Sequence, residues 1–381
     1  MKNYLGVILC LGLLVPCTTI KAQTESTLFE KVTNMEKKVD KLNLYLNVQG
    51  SGDANYMDEF SSRFMLRQLR IEAKGNINDR FSYRYRQRLN RGNNGGGNID
   101  NLPTSIDIAG IGINVTKKFS IFAGKQCAAY GGIEFDLNPI EIYEYSDMIE
   151  YMSNFLTGVN FAYQIAPSHQ VQFQILDSRN NSLEDTYGAG FTKSKIPMLF
   201  TLNWNGNFNN TFKTRWSASL MNETKDNQMY YVALGNQLTV NKFDAFFDFM
   251  YSTEDIDRKG IMTNLVGNMS GHNALDACYT SLVLKLNYHI TPQWNIFAKG
   301  MYETAGLSED VNELEKGTYR TSYGYFAGAE YYPNVEGNLH FFLTYVGRHY
   351  AYDDRAKAVG LENLSNSTRV SLGFIYQLPL F

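Results

Sequence analysis

Arg84, Arg86 and Arg88 stand at every second position, while Phe81, Tyr83, Tyr85 and Leu89 occupy the alternate ones. In an extended chain this spacing places three guanidinium groups on one face and an apolar row on the other. The preceding segment carries Arg63, Arg70 and Lys74, but its parity changes midway. Arg63 opposes Phe64 and Leu66, whereas Arg70, Glu72 and Lys74 oppose Leu69, Ile71 and Ala73. One extra residue at Arg67-Gln68, a β-bulge, restores the alternation and brings Arg63, Arg70 and Lys74 onto the face of the other arginines. Glu72 is the single acid on these two arms. The planar fork of arginine matches carboxylate and phosphate oxygens, so a surface this dense in bases suits anions. The plainer alternatives are a solvated surface, or bases paired with carboxylates from other strands.

A second set of ionisable residues is acidic. Glu134, Asp136, Glu141, Glu144, Asp147 and Glu150 fall within residues 128–154, among apolar Phe135, Leu137, Ile140, Ile142 and Tyr143. No calcium-loop spacing relates them. The five histidines, His169, His272, His289, His340 and His349, sit in no Ser/His/Asp pattern, so hydrolytic chemistry has no nucleophile with a partnered base and no enzyme is expected. Cys127 and Cys278 lie far apart without metal-type spacing. No cofactor, metal or nucleic-acid partner is expected.

The elements that position these residues follow from the rest of the chain. Lys2, the apolar run from Tyr4 to Pro16, and Thr18-Thr19-Ile20-Lys21-Ala22 before Gln23 read as a cleavable secretory signal over residues 1–22. Its apolar run is too short to span a bilayer as a helix. Acylation at Cys17 is disfavoured because Pro16 stands where a small residue is expected. Removing this segment takes two bases and no acid, so the formal charge moves from −3 to −5. Over residues 23–41, Leu28, Val32, Met35, Val39 and Leu42 recur at four-three spacing, which predicts a short amphipathic helix of heptad type.

No later segment approaches a transmembrane helix and mean hydropathy is −0.31, yet the chain holds 26 Tyr and 24 Phe. Strands explain this mixture: aromatic residues suit a pleated surface and form the girdles of an outer-membrane barrel. From Leu42 onward sixteen segments of about ten residues alternate in character. Phe243, Ala245, Phe247, Phe249 and Tyr251, for example, oppose Asp244, Asp248 and Ser252. Short turns such as Thr116-Lys117-Lys118 and Asn209-Asn210 alternate with loops such as 128–154 and 180–197. The fold expected is all-β: a 16-stranded antiparallel transmembrane β-barrel over residues 42–381, preceded by a short periplasmic amphipathic helix, with both termini periplasmic. A soluble β-sandwich shows single strands of this kind but not this alternation of connection lengths. In a barrel wall, arginines at a spacing of two face the lumen, because each costs roughly 2–4 kcal/mol at the hydrocarbon midplane.

Residues 128–154 are long for a loop and rich in apolar side chains, so they are expected to fold into the barrel and narrow it, with the alternative of an external flap. Facing the arginines, their carboxylates would set up a transverse field and weaken anion preference.

Three stretches carry a family likeness: Phe64-Met-Leu-Arg-Gln-Leu-Arg-Ile-Glu-Ala-Lys-Gly75, Asp79-Arg-Phe-Ser-Tyr-Arg-Tyr-Arg-Gln-Arg-Leu-Asn90, and Ala123-Gly-Lys-Gln126 with Tyr130-Gly-Gly132. They resemble the phosphate-selective porin O and P family, particularly its Bacteroidetes-type members. The likeness is specific over residues 60–165 and architectural beyond. It implies a homotrimer of sixteen-stranded barrels in the lipid of a Gram-negative outer membrane, passing phosphate or other small anions through an arginine-lined, loop-constricted pore. It also implies pore-lining roles for Arg63, Arg70, Lys74, Arg84, Arg86, Arg88 and Lys125. The competing readings are a weakly selective general porin, and a barrel acting mainly as adhesin or envelope scaffold.

Overall fold

The computed structural model describes residues 41–91, 100–266, 271–335, 337–358 and 364–380. Apart from Lys41, the signal segment and amphipathic helix expected before residue 42 lie outside them. The strands are β1 (Asn43–Met57), β2 (Glu59–Asn76), β3 (Phe81–Arg88), β4 (Ile106–Asn114), β5 (Phe119–Cys127), β6 (Phe155–Ala166), β7 (His169–Asp177) and β8 (Met198–Phe208). They continue with β9 (Phe212–Asn222), β10 (Gln228–Val240), β11 (Phe243–Ile256), β12 (Leu275–Thr291), β13 (Trp294–Leu307), β14 (Gly317–Tyr331), β15 (His340–Tyr352) and β16 (Ser367–Pro379). Each pairs antiparallel with its sequence neighbours, and β1 pairs with β16, as in Val48 opposite Tyr376, to close a sixteen-stranded barrel. Closure leaves no sheet edge unpaired.

The two faces of the wall separate as the alternation requires. Phe64 is 94% exposed, and Leu202, Phe247, Leu284, Tyr325 and Leu372 also stand out from the barrel. Asn47, Thr201, Asp248, Ser281 and Thr344, on the opposite parity, are buried inside it. This distribution inverts that of a soluble protein and suits a wall with hydrocarbon outside. Short turns rely on residues that tolerate left-handed backbone: Asn209 and Asn210 have φ of 54° and 57°.

Two details depart from or sharpen the sequence reading. Residues 50–57 extend β1 beyond Gln49, as far as a turn at Asp58. Here glycine serves packing: a Cβ on Gly50 would come within 2.9 Å of the Phe374 ring and one on Gly52 within 2.9 Å of the Phe64 ring. The bulge expected at Arg67-Gln68 is present. Gln49 pairs with Gln68 and Gly50 with Leu66, leaving Arg67 as the extra residue.

Candidate functional site

Bulges aim the basic side chains. With Arg67 unpaired, Arg63 and Arg70 come opposite the inward residues Asp53 and Asn47 of β1. Across the next ladder Arg88 pairs with Arg70, Arg86 with Glu72 and Arg84 with Lys74. A second bulge lies in β4, where Arg86 pairs with Ile108 and Gln87 with Ile106, so that Asp107 is the extra residue. The bulge turns the fully buried Asp107 carboxylate onto three guanidinium groups: Arg88 at 2.9 Å, Arg86 at 3.4 Å and Arg70 at 3.7 Å. The Phe155 ring lies beneath Arg86 and Arg88, at 5.4 and 5.9 Å from its centroid. A stacked aromatic ring fixes a guanidinium without consuming its charge.

The remaining bases of the strip are spread along the same wall. Arg84 binds Glu72 at 2.8 Å. The Lys74 ammonium lies over the Tyr45 ring. Arg63, 58% exposed, approaches Asp53 at 3.9 Å, and Arg67 binds the same carboxylate and the Ser51 hydroxyl. Seven bases on β2 and β3 therefore face three carboxylates, Asp53, Glu72 and Asp107, an excess of four positive charges. The two arms by themselves contain Glu72 alone, because Asp53 and Asp107 belong to the flanking strands and act only once those strands are paired.

Lys125 follows Gly124, whose φ of 128° and whose contact with the Ala109 carbonyl exclude a side chain. Lys125 binds Asp100 at 2.9 Å, and the Thr157 hydroxyl donates to the same carboxylate at 3.0 Å. Burial pushes the Asp100 pKa up, but these hydrogen bonds and one from the Leu102 backbone outweigh it and hold the carboxyl below its ordinary range.

Residues 128–154 lie against the inner wall. They contain two single-turn helices, α1 (Ile133–Asp136) and α2 (Asp147–Glu150), too short to persist without tertiary contacts. Asp248 of β11 accepts the backbone N–H groups of Ile133 at 2.7 Å and Glu134 at 2.8 Å, capping α1. Glu303 of β13 accepts the N–H of Asp147 at 2.6 Å. Tyr130, Ile133, Met148, Ile149 and Met152 join Met221, Met229, Met250 and Met301 of the wall in one apolar cluster. Each such side chain taken from water contributes roughly 1.5–3 kcal/mol, which is what holds a loop so rich in backbone polar groups inside the barrel.

The acidic residues of this segment do not confront the strip as a block. Glu134 binds Lys299, and Asp136 binds Arg215. Glu141 lies 3.7 Å from His340. Glu144 binds Arg369 at 2.9 Å and lies 3.9 Å from Arg348, while Asp147 binds Arg320 at 2.7 Å and Arg348 at 3.4 Å. Their partners come from β9 and β13–β16, a second set of bases that the sequence reading did not single out. The expected transverse field is weakened accordingly: among the described residues Glu150 has no ion-pair partner, and Glu141 has only His340, which pairs with it only when protonated. Inward parity in β13 to β16 was the available signal for Lys299, Arg320, Arg348 and Arg369.

Between strip and segment lies a cavity of about 760 Å³, lined on one side by Arg67, Arg70, Arg88 and Lys125 and on the other by Tyr145, Glu150 and Tyr151. Arg63, Lys74, Arg84 and Arg86 do not line it. Partial desolvation inside the barrel, reinforced by the nearby Glu144 carboxylate, raises the pKa of Glu150 although its side chain still reaches the cavity. Protonation removes an uncompensated negative charge, so anion preference is expected to rise as pH falls from neutrality, starting above the range of an ordinary glutamate, near 4.3. Reversal potentials measured across this interval check the sign, and a fall in anion preference on acidification would contradict it.

A sequence-family model described as phosphate-selective porin O and P matches residues 42–378. No curated protein sequence matches the chain. Among solved structures, the barrel is similar to Salmonella typhi OmpF in complex with daunomycin (TM-score 0.61, 14% identity, covering 88% of this chain and 98% of that one). It is also similar to an anion-selective porin from Comamonas acidovorans (TM-score 0.54, 8% identity, covering 89% and 99%) and to the trimer form of OmpT from Vibrio cholerae (TM-score 0.56, 12% identity, covering 89% and 100%). At these identities the likeness is one of fold.

Proposed function

The chain belongs to the phosphate-selective porin O and P family, and from this premise we propose that it is an anion-preferring outer-membrane porin whose solutes pass the Asp107-centred arginine cluster. That it is a porin for passive diffusion in the outer membrane follows from the family and the fold. The preference for anions rests on one observation. The strip of β2 and β3 keeps an excess of positive charge, while the carboxylates across from it are largely neutralised by bases of their own wall. Rings of Arg and Lys in a pore favour anions by this means. Residues 128–154 act as the constriction, and Arg63, Arg70, Lys74, Arg84, Arg86, Arg88 and Lys125 supply the field. Phosphate is a candidate solute through the family's description, a homotrimer matches the trimeric relative, and both termini lie in the periplasm.

The test is the reversal potential in a KCl gradient across planar bilayers. A chloride preference is expected that declines as salt rises, since charges act over about 10 Å at 0.1 M and about 3 Å at 1 M. A potassium preference would overturn anion selectivity and leave the porin, and a closed bilayer would overturn the channel.

A further inference from the structure

The cavity between strip and loop holds more chemistry than a bare ion uses. Its volume, about 760 Å³, lies within the ~300–1,000 Å³ of pockets that enclose an organic ligand. Beside the guanidinium groups of Arg67 and Arg88 it presents the amides of Gln68 and Asn181, the ring of Tyr151 and the carboxylate of Glu150. Tyr151 is 46% exposed, and Glu150 and Asn181 are exposed as well, so these groups are available to a solute. Inorganic phosphate or chloride has no use for an aromatic face, gains little from an amide oxygen, and is repelled by Glu150. A solute that carries hydroxyl groups on a ring next to its negative charge uses all of them. Its anionic group meets arginine, its hydroxyls donate to Glu150 and to the amide oxygens, and the C–H face of its ring packs on Tyr151.

We propose that the solute class of this pore is the hydroxylated organic anion, a sugar acid or sugar phosphate. This rests on the anion-preferring reading above and deepens it. Glu150 thereby has a different meaning for two kinds of anion: a repulsive charge for a bare ion and a hydrogen-bond acceptor for a polyol.

The experiment uses the full-length protein extracted from outer membranes and reconstituted in planar bilayers. The reading is the concentration of glucuronate, glucose 6-phosphate, inorganic phosphate, glucose or alanine that halves the chloride current. Glucuronate or glucose 6-phosphate is expected to act at roughly one-tenth the concentration of phosphate, the gain that one or two extra hydrogen bonds supply. Whichever of the two is stronger identifies carboxylate or phosphoryl as the preferred charge. Glu150→Ala is expected to move the two classes in opposite directions, strengthening block by phosphate and weakening block by the sugar anion. Tyr151→Ala should weaken the sugar anion alone and leave the KCl reversal potential unchanged. Equal block by phosphate and glucuronate, stronger block by zwitterionic alanine or by neutral glucose, or a Glu150→Ala effect of the same sign on both classes would overturn the proposal while chloride preference stands. Absence of chloride preference in the unmodified protein would instead remove the reading beneath it.

Discussion

Changing Arg86 and Arg88 together to serine is expected to turn the pore from chloride- to potassium-preferring. In the unmodified protein three guanidinium groups surround Asp107, at 2.9, 3.4 and 3.7 Å, and leave the cluster doubly positive. The double variant leaves Asp107 with Arg70 alone, at the longest of the three distances, and so brings the centre of the strip to neutrality while Glu150 remains opposite. A unit charge at 4 Å is worth about 1 kcal/mol in water, or about fivefold in the occupancy of a passing ion, so two charges are worth up to about 25-fold before screening. The reversal potential in a dilute KCl gradient reads this directly. Arg63→Ser is the internal comparison: Arg63 lies off the cavity and is largely solvated, and its removal should shift the potential far less. An unchanged selectivity in a double variant that still inserts and conducts would show that the strip does not govern permeation. Asp107→Asn, which frees all three guanidinium groups from their counter-charge, is expected to move the potential the opposite way.

The second large effect concerns how the loop is held. The Arg348 guanidinium donates to Glu303 at 2.7 Å and to the Tyr145 carbonyl at 2.6 Å, and lies 3.4 Å from Asp147. Glu303 in turn accepts the N–H of Asp147, so this base and this acid of the wall clasp α2 and the turn before it, beside Arg320 on Asp147 and Arg369 on Glu144. Arg348→Ala leaves Glu303 buried without its cation, a loss of roughly 3–5 kcal/mol for a broken buried pair. That exceeds what two hydrogen bonds return, and the turn at Tyr145 with the start of α2 is expected to loosen from the wall. Single-channel conductance then rises and chloride preference falls, because the wall loses one positive charge and Glu303 is left without its counter-charge. The double change Arg348→Met with Glu303→Gln removes both charges together and is expected to restore much of the narrow state, since replacing a buried ion pair by neutral groups costs far less than breaking it. A single variant with unaltered conductance, or a double variant more open than the single one, would show that this clasp does not hold the constriction. The apolar contacts of Tyr130 and Ile133 should keep α1 seated in either case.

Much of this protein is determined by its sequence read residue by residue. The strand count follows from the alternation of short and long connections, and the division into outward and inward rows follows from a period of two, a property of each strand taken alone. So does the bulge at Arg67, because a change of parity within one strand is visible without knowing its neighbours. Which inward residues meet each other is another matter. Asp107 became the centre of the arginine cluster only when a bulge in β4 turned it inward beside β3. The acids of residues 128–154 found Arg320, Arg348 and Arg369 across intervals of some 170 to 230 residues of chain, contacts that barrel closure alone brings about. Parity tells a side chain which side of the wall it occupies and nothing of its position around the barrel. Charge compensation inside a pore depends on that position, so the basic strip could be read from the sequence, while the strength of its field was decided by tertiary structure.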